Sequence, residues 1–98
     1  MAFISSKKVR EQCTRIVNAI NQMYEKFGNQ KDIEFTLVPQ VGPMYILTGK
    51  AGNHSYSTDV ILQFNPFDVD MGTAKKVLKK GTGISEVHKN GNHFVFKT

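Results

Sequence analysis

Seven apolar residues near the start of the chain share one helical stripe: Val9, Cys13, Ile16, Val17, Ile20, Tyr24 and Phe27. Steps of three and four place them on one side of a 3.6-residue helix whose other side is polar. Ser5 or Ser6 offers an oxygen to the free first-turn amides, and Gly28 follows the stripe as a stop. Glu11 and Arg15 stand one turn apart on the wet face, in the order that favours an ion pair. The pattern predicts a helix over residues 6–27. Such a stripe needs an apolar cover, and the rest of the chain offers it in a different period.

"DIEFTLVPQ" alternates Ile33, Phe35 and Leu37 against Glu34, Thr36 and Val38, a half-buried strand closed by Pro39. After Gly42-Pro43 the sequence predicts a short strand over 44–48 and a loop from Gly49 to Asn53. "YSTDVILQF" alternates again, with Tyr56, Thr58, Val60, Leu62 and Phe64 on the apolar side. Short connections make these three strands an antiparallel meander. "NPFDVDMGTAKKVLKKGTG" reads as a second, shorter helix. Asp68 and Asp70 stand at its start and Lys75, Lys76, Lys79 and Lys80 at its end, as the helix dipole prefers. Phe67, Met71, Ala74, Val77 and Leu78 form its apolar face, and Gly81 and Gly83 end it. "GTG" follows a helix and precedes none, so it is punctuation rather than a phosphate loop.

"EVHKNGNHFVF" closes the chain as a hairpin. A type I′ turn with Asn90-Gly91 at its centre pairs Lys89 with Asn92, His88 with His93, Val87 with Phe94, Glu86 with Val95 and Ser85 with Phe96. Val87, Phe94 and Phe96 then share one face, and both histidines share the other with Glu86 and Lys97. The order α-β-β-β-α-β-β implies an α+β, two-layer domain: an antiparallel sheet with two helices on one face. Ile61, Leu47, Val38 and Val95 are expected on the open face, with Glu34, Asp59 and Glu86 beside the histidines. Apolar positions there suggest a covered patch, on another protein or in a homodimer.

Ninety-eight residues leave room for one core, and 40% hydrophobic residues, including seven Phe, are enough to build it, so residues 1–98 read as a single domain. The apolar runs fall far short of a membrane span, and "MAFISSKKVR" carries no apolar leader core. A single cysteine excludes an internal disulfide and a cysteine-based zinc module. These features fit a cytoplasmic protein, in the host cytoplasm for a phage-encoded chain.

Charge narrows the choice of partner. Residues 71–98 hold six lysines against Glu86, so this stretch carries the whole +5, while the rest balances. A one-sided basic bias suits an anionic partner, although a mildly basic solvated surface has the same composition. Lys50 and Asn53 in one loop, and Lys89, Asn90 and Asn92 at the hairpin tip, offer contacts to phosphate and base edges. Lys75, Lys76, Lys79, Lys80 and Lys97 add charge, with His88 and His93 as surface contacts. Turn chemistry alone explains Asn90-Gly91, and the dipole alone explains the helix lysines.

Two other chemistries are weaker fits. A cross-strand His88/His93 pair supplies two imidazoles, with His54 in the loop as a candidate third, but no H-x-x-x-H or cysteine spacing supports the three or four close ligands that zinc takes, so no metal or other cofactor is expected. The same pair near a lysine has the chemistry to cleave RNA by acid/base catalysis, but an open face does not exclude water. The expected function is therefore non-enzymatic binding of nucleic acid, with double-stranded DNA as the partner. A docking surface for a host or defence protein is the alternative, and a histidine-dependent endoribonuclease comes third.

The element order and the closing Lys89-Asn90-Gly91-Asn92 hairpin resemble the C-terminal double-wing domain of the phage middle-promoter activator MotA. That resemblance implies a sheet with projecting loops that contacts promoter DNA, with Lys89, Asn90 and Asn92 as the residues it carries over. The chain lacks the separate N-terminal helical domain of such activators, so the likeness implies a stand-alone DNA-binding piece or a relative with another task.

Overall fold

A computed structural model describes residues 5–98; the leader reading rests partly on residues 1–4, which lie outside the described residues. The elements run α1 (Ser6–Phe27), β1 (Glu34–Pro39), β2 (Met44–Ala51), β3 (His54–Ile61), α2 (Pro66–Val69), α3 (Met71–Thr82), β4 (Glu86–Asn90) and β5 (His93–Lys97). The strands form one antiparallel sheet in the order β3-β2-β1-β5-β4. This is the expected α+β class.

Helix α1 begins where its capping residue allows. Ser5 Oγ accepts from the Lys8 amide at 3.3 Å, and Gly28 at φ 62° ends the helix. Its buried stripe is Val9, Cys13, Ile16, Ile20, Met23 and Phe27, packed on the sheet. Phe35, Leu37 and Leu47 meet it from the sheet centre, and Phe94 and Phe96 stack and tilt against Phe67 of α2 at 5.2 and 5.1 Å. Each such fully buried side chain contributes roughly 1.5–3 kcal/mol of transfer free energy.

The second helix is two helices. Asp70 adopts φ −148°, ψ 85°, outside the helical region, and separates the single turn α2 from α3. Its carboxylate accepts from the Thr73 amide at 3.1 Å and from Thr73 Oγ1 at 2.8 Å, so a second N-cap interrupts what the sequence reads as one run. These Thr73 hydrogen bonds, side-chain first and then backbone, hold the Asp70 carboxyl below its ordinary pKa. A lowered folded-state pKa means the cap's contribution is complete above the unfolded pKa and is lost as pH falls through the folded one. Asp70→Ala is therefore expected to melt below wild type at neutral pH, with the gap narrowing as the wild-type carboxyl protonates in acid. Thermal melts across acid pH check this, and a gap that widens in acid contradicts it.

Two strand assignments also change. The loop expected over 49–53 is mostly strand: β2 runs to Ala51, and only Gly52-Asn53 make the turn. Leu47 faces the core, fully buried, rather than the open side. "MYIL" is apolar at both parities, so alternation cannot orient it. Pairing decides: Leu47 lies opposite Leu37, which points inward. Met44 and Ile46 take the outward positions beside Val38, Ile61 and Val95.

The closing hairpin turns one residue later than expected. Asn90 pairs with His93, Lys89 with Phe94, His88 with Val95, Val87 with Phe96 and Glu86 with Lys97. Gly91 has φ 66°, while neither Asn90 nor Asn92 has positive φ. That is the type II′ pattern, which asks a left-handed conformation of glycine alone, whereas type I′ also asks it of Asn90. Moving the pairing by two positions keeps every face, so Val87, Phe94 and Phe96 remain inside. His88 and His93 are not opposite each other. Ser85 lies outside the strand, its amide donating to Lys97 O at 2.9 Å.

Candidate nucleic-acid interface

The sheet register places the expected contact residues far apart. Ser55, Lys50, Glu34, Lys97 and Glu86 form one row across the open face, at the end that carries the Gly52-Asn53 turn. The β4–β5 tip projects from the other end. Lys50 and Asn53 therefore occupy one corner, and Lys89, Asn90, Asn92 and His93 the opposite one.

Among the described residues, carboxylates lie beside three basic side chains of the sheet. Lys97 Nζ lies 3.9 Å from Glu34, Lys89 Nζ 3.5 Å from Asp68, and His88 Nε2 3.2 Å from Glu86 Oε1. All six side chains are about half exposed, so each pair adds little stability. The Glu34 pair reduces the net charge of the open face, whereas Lys89, opposite inward-facing Phe94, meets Asp68 of α2 on the helix side. Among the described residues no group of three or more His, Cys, Asp or Glu is placed to hold a metal ion. No helix of the described residues is long and apolar enough to cross a membrane.

The helix layer differs. Helices α1 and α3 run side by side: Cys13 Sγ lies 4.0 Å from Ala74 O, and Asn21 Nδ2 donates to Gly81 O at 3.1 Å. Between them lies a groove of about 590 Å³, with Val17 and Val77 as apolar lining and Arg10, Lys76 and Lys80 as cations. Lys76 and Lys80 are one turn apart, so both reach the same side of α3. Lys75 and Lys79 form a second such pair on the adjoining flank. Among the described residues, none of these five cations has a carboxylate within 4.0 Å. Asp70, which Arg10 helps keep ionised, is already committed to the α3 cap.

Arg10 and Thr14 join this site only through packing. Arg10 lies off the apolar stripe of α1, and nothing in the local sequence says that α1 lies against α3. Its spacing from Val17, seven residues along the same helix face, is the one available signal.

Cys13 lies beneath the groove and does not belong to it. Burial raises its thiol pKa to about 12, with Arg10 lowering it and Asp70 raising it by lesser amounts. A thiol this protonated is a poor nucleophile. Iodoacetamide at mildly alkaline pH is expected to leave Cys13 unmodified in the native protein and to label it in denaturant, as read by intact mass. Rapid labelling of the native form would contradict the buried placement.

No protein-family model, curated protein or solved structure matches this chain.

Proposed function

We propose that the protein is a non-enzymatic binder of double-stranded DNA whose main contact surface is the helix layer. The observation that carries this reading is the α1–α3 groove, lined by Arg10, Lys76 and Lys80 with no carboxylate in its lining. Unpaired cations at an exposed groove attract phosphate and release the counterions condensed on it, which drives binding without regard to sequence. Among the described residues, the lining contains no aromatic side chain. Binders of single strands commonly stack bases on aromatic side chains, so this groove suits the backbone of a duplex better. Lys75 and Lys79 extend the charged area, and the two loop corners add at most peripheral contacts.

A titration of labelled duplex and single-stranded DNA at low and moderate salt tests the proposal. Duplex binding that weakens steeply with salt is expected, and no binding at low salt refutes it. A second reading, a docking surface for a protein, rests on the half-buried apolar run of Val38, Met44, Ile46 and Val95 on the open face, continued by exposed Ile61. An apolar dock of that kind holds its affinity as salt rises.

A further inference from the structure

We propose that two copies of this chain join edge to edge through β3, in an antiparallel register centred on Ser57, to make one continuous sheet. The two edges of the sheet are built differently. β4 is five residues long, carries Glu86, His88 and Lys89, and is tied to Asp68. β3 is eight residues long, with Asp59 as its one acid, no lysine or proline, and unbroken pairing to β2. Short length and charge are the usual protections against edge pairing, and β3 has little of either.

The hydrogen-bond parity of β3 shows which groups are open. The Leu62 amide donates to Pro43 O at 2.9 Å. Because antiparallel ladders alternate, Val60, Thr58 and Tyr56 also turn their backbone groups toward β2. Ile61, Asp59, Ser57 and Ser55 turn theirs outward. Helix α1 occupies the far end of that outer edge: Arg15 Nη1 donates to Ile61 O at 2.9 Å, and Gln12 Oε1 accepts from the Gln63 amide at 2.8 Å. Among the described residues, three strand positions remain with both groups open: Ser55, Ser57 and Asp59. They are symmetric about Ser57.

A second copy matches this pattern. Pairing centred on Ser57 sets Ser57 opposite itself and Ser55 opposite Asp59, giving about six main-chain hydrogen bonds, two for each residue pair. A register centred on Thr58 calls on Ile61 O, which Arg15 already holds. One centred on Tyr56 leaves Asp59 facing the turn at Asn53. The α1 cap thus selects the register. Side chains agree with it. Asp59 lies opposite Ser55 of the second copy, and Lys50 of that copy is next in the row, because Lys50 pairs with Ser55. Opposite charges approach, and Asp59 does not meet its own copy. Tyr56 lies opposite Thr58, a favourable aromatic–β-branched pair. Beside the edge, a groove of about 300 Å³ between Arg15, Asn18, Ala19, Gln22 and residues 58–61 gives an added strand's side chains space. The twofold axis stands perpendicular to the sheet, so both helix layers, and both basic grooves, face the same way.

Sedimentation of the full chain without nucleic acid tests the pairing, separately from any DNA result. A concentration-dependent monomer–dimer equilibrium is expected. Ser57→Pro removes an outward amide without touching the ladder to β2, and is expected to give a monomer with unchanged circular dichroism. Asp59→Lys should weaken the dimer roughly tenfold or more, by placing like charge beside Lys50. Lys50→Glu combined with Asp59→Lys should restore it, which loss of folding would not do. A monomer at every concentration, or a dimer indifferent to both single variants, overturns the proposal.

Discussion

Reversing charge at Lys76 and Lys80 is expected to lower duplex affinity at low salt by at least about 100-fold and to flatten the salt dependence by about two in log–log slope. The reasoning is additive in phosphate contacts: each lost cation removes a contact of nearly one counterion, and each new carboxylate repels the backbone. Arg10→Glu should act in the same direction, since its side chain lines the same groove from α1. Lys50→Glu and Lys97→Glu should change affinity much less, because Glu34 lies beside both positions on the sheet. Fluorescence anisotropy at several salt concentrations separates these cases. Equal losses from sheet and helix variants would move the contact surface off the helix layer.

Gly49→Ala is expected to destabilise the fold by about 1–3 kcal/mol, an overpacking cost, despite adding a single methyl group to a strand. A Cβ at this position would lie 2.9 Å from Phe27 Cε2 and 2.9 Å from Phe35 Cε1, both in well-packed rings. Phe35 is fully buried and meets Phe27 edge to face at 6.3 Å and Tyr24 at 5.6 Å, so neither ring has free space to enter. Phe35→Ala alone should cost about 3–5 kcal/mol through the cavity it leaves. In the double variant the added methyl occupies part of that cavity, so the two losses should sum to more than the loss measured for the pair. Urea denaturation of the four proteins decides it. Strict additivity would mean that Phe35 is not the obstacle at Gly49.

The span of helix α1 is legible in the sequence, because its period, its serine cap and its glycine stop agree over six turns, although Met23 is buried where the stripe has Tyr24. The faces of β1 and β5 are legible for a similar reason: alternation there is clean, and Phe35, Leu37, Phe94 and Phe96 have no apolar neighbour of equal size at the other parity. β2 is not, since Met44, Tyr45, Ile46 and Leu47 satisfy either face. The hairpin's faces survive although its turn lies one residue on, because a shift of two in pairing preserves parity. The break at Asp70 escapes a periodicity reading because Phe67, Met71, Ala74 and Leu78 keep helical spacing across it. A capping carboxylate inside an apolar stripe is a local competitor that periodicity does not register.

What the sequence determined by itself is the class of structure and the location of excess charge in the last stretch of the chain. Both depend on local periods and on composition. The tertiary structure alone decided that β5 lies beside β1, which sends the two loop tips to opposite corners, and that α1 lies along α3, which joins Arg10 to Lys76 and Lys80. Those neighbours are more than 50 residues apart, and they are selected by the shape of a shared core, where many apolar side chains must fill one volume at once. No local stretch of sequence carries that constraint.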